Sequence, residues 1–316
     1  MLAAMAKNDA GSVRAAVGGG LPWLPSLIQR ARIVDGQPPF SDGSLVELAT
    51  GARTVLTIGE IAIALVALPE AEFVVDPEAR RHGLGTALLE ALIGQSESRG
   101  DDALIVWSHG DHPGARALAA SHGFAAVRTL LHLRADVSDS SSGSGSGSAP
   151  PSTASAAISS FHPGTDDAEW LALNAVVFAD HPEQGGVSQA DLDVLFGEPW
   201  FNADDFLLLR VGDGTLIGYS WLKIETGAEG SDNSSGSSTV GDGEFYVVGV
   251  HPDHHSQGLG RVLIQAGLER LRACGIRSAH LYVEAENLAA VHLYRSYGFV
   301  DDTIDVQYAR TTPPSA

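Results

Sequence analysis

The sequence predicts a mixed α/β fold (an α+β mixed sheet with helices on both faces), built twice in one chain. Three observations predict it. Strand-length and helix-length apolar patterns alternate in both halves of the 316 residues, as expected where helices pack on a sheet. A run made almost entirely of Ser, Gly, Ala, Pro and Thr at 138–157 divides the chain near its middle. The stretch Val250-His-Pro-Asp-His-His-Ser-Gln-Gly-Leu-Gly260 has an earlier copy, Val75-Asp-Pro-Glu-Ala-Arg-Arg-His-Gly-Leu-Gly85. The offset of 175 residues that relates Val75 to Val250 also relates Phe124 to Phe299, so the copies run in register without a gap.

In the first half, Phe73–Val75 reads as a strand, Gly83–Glu97 as a helix, Ala103–Trp107 as a strand, Pro113–His122 as a helix and Leu130–Arg134 as a closing strand. The low-complexity run cannot bury enough apolar surface to offset its ordering entropy. The expected division is therefore a domain at 1–137, a linker at 138–157 and a domain at 158–316. In the second half Asp166–Phe178 is helical, with Asp166 or Thr165 as cap. Strands Asp204–Val211 and Leu216–Glu225 flank the turn Gly212-Asp213-Gly214. The polar stretch Thr226–Gly243 reads as a long hairpin loop, because a strand resumes at Glu244–Val250. Leu259, Val262, Leu263 and Ala266, widened by Ile264, Leu268 and Leu271, mark a helix face that ends at Gly275. Strand Ser278–Glu284, helix Leu288–Ser296 and strand Thr303–Arg310 complete the pattern.

Length permits two ordinary domains, each with its own core. The net charge of −20 and pI of 4.8 repel phosphate backbones and anionic membranes, which argues against nucleic-acid or membrane partners. The single cysteine, Cys274, excludes an internal disulfide framework and is expected to pack. Lysine occurs only at Lys7 and Lys223. The opening residues, with Lys7, Asp9 and Arg14, do not form a signal peptide, and no window approaches a membrane span. A cytoplasmic monomer acting on a small molecule, without a metal, is expected.

A strand ending in Val-x-Pro, a loop ending in Gly-x-Gly and a following helix suit a pyrophosphate. Glycines let the backbone approach, successive N–H groups point inward, and the helix N-terminus adds partial positive charge. Gly-x-Gly alone is equally a tight turn. The whole spacing is specific: Val-x-Pro, Gly-x-Gly, amphipathic helix, strand, Asn287-Leu-Ala-Ala290, then Leu293-Tyr294 and Gly298-Phe299. On these motifs both halves resemble the GNAT acyltransferase superfamily, so that two tandem GNAT domains are implied.

The resemblance implies acetyl-CoA as co-substrate. It implies that the strand before the loop splays from its neighbour, leaving a backbone N–H to polarise the thioester carbonyl. Val248, Gly249 and Val250 would then form the acetyl-CoA wall, and His255, Ser256, Gln257, Gly258, Leu259, Gly260 and Arg261 the pyrophosphate loop. Asn287, Leu288, Ala289, Ala290, Val291 and His292 would meet the pantetheine and adenine side. The first copy offers Phe73, Val74, Val75, Arg81, His82, Gly83, Leu84, Gly85 and Thr86. One departure is His255, where the family has Arg or Gln and the first copy keeps Arg80; weakened rather than abolished binding is expected.

Aminolysis of a thioester needs a neutral amine, and the departing thiolate benefits from a proton donor. Glu244 and Tyr294 are the candidate base and acid. By the constant offset their counterparts are Pro69 and Ala119, while Tyr282 becomes Trp107 and Asn287 becomes His112. On that comparison the first domain is catalytically degenerate and the second active. The alternative readings are a solvated strand end for Glu244 and a helix tyrosine capping the core for Tyr294.

His181-Pro-Glu-Gln-Gly-Gly186, Trp221-Leu-Lys223, Gly243-Glu-Phe-Tyr-Val247 and Leu281-Tyr-Val-Glu284 resemble signature segments of the mycothiol synthase family of tandem GNAT enzymes. That resemblance implies transfer of acetyl to the cysteinyl amine of Cys-GlcN-Ins. It implies substrate contacts from Asp42, Glu183, Lys223, Glu244 and Tyr282. The alternative readings are a turn residue in Ser-Asp-Gly for Asp42, a loop carboxylate for Glu183 and a solvated strand lysine for Lys223. Two rivals remain open: acetylation of another amine (a polyamine, an aminoglycoside or a protein N-terminus), and a non-catalytic acyl-CoA sensor.

Overall fold

Apolar side chains at alternate positions bury both faces of a central strand in each half of the computed structural model, which describes residues 13–17, 20–138, 157–179, 182–224 and 241–311. The chain forms two units. One comprises Met1–Leu131 with Thr303–Ala316, the other His132–Asp302.

The first unit runs β1 (Arg14–Val17), α1 (Leu24–Asp35), α2 (Asp42–Thr50), β2 (Thr54–Ile58), β3 (Ala62–Ala67), β4 (Glu70–Val75), α3 (Leu84–Arg99), β5 (Ala103–His109), α4 (Pro113–Ser121) and β6 (Ala125–Asp136). Proline in the first turn starts α1 and Gly36, at φ +83°, ends it, the asymmetry that proline and glycine impose on helix ends. Ser41 caps α2 by accepting from Ser44 N. Along β3, Ala62, Ala64 and Val66 pack with Leu88 and Leu92 of α3. Ile63 and Leu65 pack with Leu27 and Ala31 of α1 on the opposite face. Neighbouring strands β1 to β4 pair antiparallel, and β4 pairs parallel with β5.

The second unit continues with β7 (Ala157–Ser160), α5 (Asp167–Val177), α6 (Pro182–Gly185), α7 (Gln189–Phe196), β8 (Phe206–Arg210), β9 (Leu216–Ile224), β10 (Asp242–Val250), α8 (Leu259–Ala273), β11 (Ser278–Glu284) and α9 (Leu288–Ser296). Its strands follow the order β11-β10-β9-β8-β7, with the end of β6 beside β11. Under α5 the core is aromatic: Phe161 and Trp221 stack on opposite sides of Phe206, at 4.3 and 4.2 Å between centroids. On the other face Leu259 and Leu263 of α8 meet Leu209 and Ile217.

The last strand, β12 (Val300–Thr311), pairs antiparallel with β5 from Asp305↔His109 to Thr311↔Ala103. Residues from Thr303 onward thus belong with the first unit, where a division at 158–316 assigns them to the second. Strand patterning gives a strand's faces but not its neighbour. Asp166 precedes α5 without capping it through its side chain; its carboxylate accepts from His162 N instead. Cys274 is exposed at the end of α8 and does not pack. Most of the expected linker, 139–156, and of the expected hairpin loop, 226–240, lies outside the described residues, as does residue 225 at the end of the expected strand before that loop.

Candidate active site

In the second unit the ladder between β10 and β11 runs only from Asp242↔Ser278 to Glu244↔His280. Beyond Glu244 the two strands part, while β10 stays paired with β9 as far as Val250↔Gly218. The edge of Val247–Val250 that faces away from β9 therefore borders a gap. The same happens in the first unit, where pairing of β4 with β5 ends at Glu72↔Trp107. The expected splay is present in both.

The loops that close these gaps are built alike. After β10, a single 3-10 turn at Pro252–His254 leads to His255, to Ser256 at φ +62° and to Gly258 at φ +77°, from which α8 starts. After β4, a turn at Pro77–Ala79 leads to Arg80, Arg81 at φ +66° and Gly83 at φ +82° before α3. A left-handed residue that is not glycine is unusual, and it recurs at the same place in both loops. His255 Nε2 lies 2.9 Å from Val250 O, and Arg80 Nε donates to Val75 O at 3.1 Å. The imidazole makes the tie that arginine makes in the first copy, so this departure from the family pattern keeps the loop anchored to its strand.

At the start of α8, the first bonds within the helix run from Arg261 N and Val262 N to Gly258 O, and the N–H groups of Leu259 and Gly260 precede them, as at any helix N-terminus. Gly260 packs closely on α9: a Cβ there would stand 2.9 Å from Leu293 Cδ2 and displace the end of that side chain. Asn287 caps α9 by accepting from Ala290 N at 3.1 Å. Leu288, Ala289 and His292 are exposed, as are Ser256, Gln257 and Arg261. Leu259 and Val291 are buried and can offer a ligand only backbone.

Register places the polar residues of the second unit in a row. Lys223 of β9 stands opposite Glu244 of β10, and Glu244 stands opposite His280 of β11. Facing residues on adjacent strands share a face of the sheet. Tyr246, two residues on from Glu244, lies on that face, where its ring meets Trp200 at 5.3 Å and Trp221 at 5.5 Å, and the bulge between Phe245 and Val247 brings Val247 there too, opposite Trp221. Lys223 Nζ lies 5.7 Å from the centre of the Trp200 ring. Two residues along β11 from His280, Tyr282 is half exposed and stacks on His132 at 4.6 Å. Lys223, Glu244 and Tyr282 are thus brought onto one surface together with His280, His132, Trp200 and Tyr246, which the sequence reading did not name. Period-two alternation through Tyr282 in Ser278–Glu284 carried the signal for His280.

Tyr294 of α9 is buried, with its ring 5.9 Å from Phe299. Burial pushes its hydroxyl up to about 12. Glu183 lies in α6 and Asp42 is the first residue of α2, but their side chains lie outside the described residues. Among the described residues no group of His, Cys, Asp and Glu could hold a metal ion.

The bulge overturns one comparison between the copies. Glu70 of β4 stands opposite Ile105, the residue that the offset relates to His280. Glu70, not Pro69, therefore occupies the place of Glu244, because β10 carries one extra residue at Tyr246. The row Lys223–Glu244–His280 becomes Ala67–Glu70–Ile105 in the first unit. Glu70 is held by Arg53 at 2.9 Å and accepts from Trp107 Nε1 at 3.3 Å. The first unit keeps a carboxylate, ties it to an arginine and loses the rest.

The first unit nevertheless has an open cleft of about 750 Å³ where β4 and β5 part. Its lining includes Phe73, Val74, Val75, Arg81, Gly83, Leu84, Gly85 and Thr86, but not His82, which is exposed with Nδ1 3.3 Å from Ala79 O. Beside it, buried Glu72 accepts from Ser41 N, Ser41 Oγ and Ser44 Oγ. His109 lies between Glu72, at 3.7 Å, and Asp305 of β12, at 3.0 Å.

The acetyltransferase (GNAT) family profile matches residues 62–124 and 170–299. The mycothiol acetyltransferase of Clavibacter michiganensis subsp. michiganensis is 43% identical over 295 residues, covering 90% of this chain and 89% of that one. The mycothiol acetyltransferase of Streptomyces scabiei is 38% identical over 300 residues, covering 91% and 90%. Among solved structures, a GCN5-related N-acetyltransferase from Sphaerobacter thermophilus superposes with a TM-score of 0.68 at 19% identity, covering 96% of each chain. A tandem GNAT protein from the clavulanic acid biosynthesis pathway gives 0.67 at 15% identity, covering 96% of this chain and all of that one. The latter two likenesses establish the fold. The chain belongs to the acetyltransferase (GNAT) family and, within it, to the mycothiol acetyltransferases.

Proposed function

We propose that this N-acetyltransferase moves the acetyl group of acetyl-CoA to the cysteinyl amine of Cys-GlcN-Ins, in the second unit. The observation that carries the site assignment is the row Lys223–Glu244–His280 at the point where β10 and β11 part, with the positive-φ loop and the N-terminus of α8 beyond it. Kinship with mycothiol acetyltransferases over nine-tenths of the chain supports the substrate.

In this reading the pyrophosphate of acetyl-CoA lies on the His255–Arg261 loop, held by backbone N–H groups and the helix N-terminus. Asn287–His292 borders the rest of the cofactor. The thioester carbonyl faces the unpaired edge of Val248–Val250, whose N–H groups stabilise the oxyanion. Glu244 takes the proton of the cysteinyl ammonium, directly or through a water. The amine then attacks the carbonyl carbon, the C–S bond breaks, Tyr294 protonates the departing thiolate, and the second proton that nitrogen sheds as the amide forms restores the tyrosine through solvent. The Tyr294 hydroxyl is protonated at neutral pH, as a donor must be, although burial, which raises it to about 12, makes it a weaker acid. Lys223, Tyr282, Glu183 and Asp42 serve the polyol. The first unit is catalytically degenerate: Ala119 replaces Tyr294, and Glu70 is engaged by Arg53.

Acetyl transfer to Cys-GlcN-Ins, followed by product mass beside a polyamine, an aminoglycoside and a peptide, tests the reading. Turnover of Cys-GlcN-Ins alone supports it. Turnover only of another amine would keep the cofactor site and discard this substrate.

A further inference from the structure

His280 has no part in the chemistry above, yet it occupies the last paired position before the strands separate, opposite Glu244. Adjacent strands lie about 4.8 Å apart, so whatever amine reaches Glu244 brings its neighbouring atoms over this ring. His280 stands edge-on to His132 at 5.1 Å, and His132 in turn stacks against Tyr282 at 4.6 Å and 25°. Asp302 fixes His132 through Nδ1 at 3.1 Å. The three rings pack as one cluster beginning one strand from the base, with His132 largely buried between the other two and Tyr282 half exposed.

Two further observations separate His280 from an ordinary packing residue. Its Nδ1 is buried without a hydrogen-bond partner, an arrangement that costs stability and is uncommon in a folded chain. The first unit, which repeats the strand register, places Ile105 there, so the fold itself does not require an imidazole. Burial, then His132 and Arg134, push the ring down to about 4. It is therefore uncharged at neutral pH and adds no cation to compete with a substrate ammonium for Glu244. A neutral imidazole nitrogen either donates or accepts, and with Nδ1 buried the contact to a sugar hydroxyl falls to Nε2. Flat rings receive the apolar C–H face of a pyranose or cyclitol.

We propose that His280, with His132 and Tyr282, forms a ring ledge that receives the carbohydrate portion of the amine substrate, and that His280 is its specificity-determining contact. This rests on the reading of the substrate as a cysteinyl glycoside.

The test compares full-length wild type, His280→Ala and His280→Gln on two amines: Cys-GlcN-Ins and cysteine amide, which carries the same amine without sugar. Acetyl-CoA affinity is measured by calorimetry and folding by thermal unfolding. The ledge predicts that His280→Ala raises KM for Cys-GlcN-Ins about tenfold, the worth of roughly one hydrogen bond, with kcat preserved. Turnover of cysteine amide and binding of acetyl-CoA stay as in wild type, and His280→Gln recovers part of the loss. Should His280→Ala fail to fold, the same split measured on His280→Gln carries the test. Equal losses on both amines, or none on either, overturn the proposal, as does a wild type that does not distinguish the two. A wild type that acetylates neither of them but acetylates a sugar-free polyamine removes the substrate reading itself, and the ledge with it.

Discussion

Glu244 has Lys223 on one neighbouring strand and an uncharged imidazole on the other. Replacing it with glutamine keeps the shape and removes the proton acceptor. Glu244→Gln should lower kcat at pH 7 by about a hundredfold, the usual scale for a lost general base. Part of the loss should return as pH rises, because more of the amine then arrives deprotonated; a pH–rate profile shows whether it does. An unchanged rate would remove Glu244 from the mechanism. Tyr294→Phe removes the buried donor and leaves the ring against Phe299. Its expected signature is a lower kcat, about tenfold, with an unaltered dissociation constant for acetyl-CoA. Full-speed turnover would exclude the hydroxyl as the acid.

At the scale of elements, the two strand–loop–helix units provide an internal comparison. A Cβ on Gly260 would crowd Leu293 at 2.9 Å, whereas one on Gly85 would meet Leu118 at an ordinary 3.4 Å. Alanine is the better helix former by about 1 kcal/mol, but overpacking costs about 1–3 kcal/mol. Gly85→Ala should therefore be neutral or stabilising, and Gly260→Ala destabilising with weaker acetyl-CoA binding. Thermal unfolding of both variants decides it, and equal shifts would contradict the packing account. The loops themselves were legible in the sequence because turn chemistry is local: glycine spacing and the constant offset located them. The bulge at Tyr246 was not, because a bulge is a property of a strand and its partner together. A gapless sequence comparison consequently paired Glu244 with Pro69, when cross-strand register pairs it with Glu70.

At the scale of the whole molecule, His109 anchors β12 in the first unit. Burial works to lower its pKa, but the hydrogen bond to Asp305 and the negative charge of Glu72, 3.7 Å away, outweigh it and raise the ring from 6.5 to about 9. A raised folded-state value contributes stability that is complete below pH 6.5 and is lost as pH climbs through 9, about 3 kcal/mol in all. Denaturant unfolding of wild type should show that decline. Asp305→Asn should start lower at pH 6 and fall less steeply, and parallel curves would disprove the coupling. Which unit owns the last strand could not be read from its alternation, since Thr303–Arg310 suits the edge of either sheet equally well. The carboxylate at Asp305, facing His109 in register, makes the difference, and that is a tertiary fact.

The return of residues from Thr303 onward to the first unit also sets a timetable for biosynthesis. A ribosome that has finished Leu131 has not yet made the strand that pairs with β5, and roughly 10–35 s of elongation separate the two at ordinary translation rates. During that interval the edge of β5 is exposed on the nascent chain. The half that is translated first is thus the half that finishes folding last, and it waits on codons read after those of the catalytic residues.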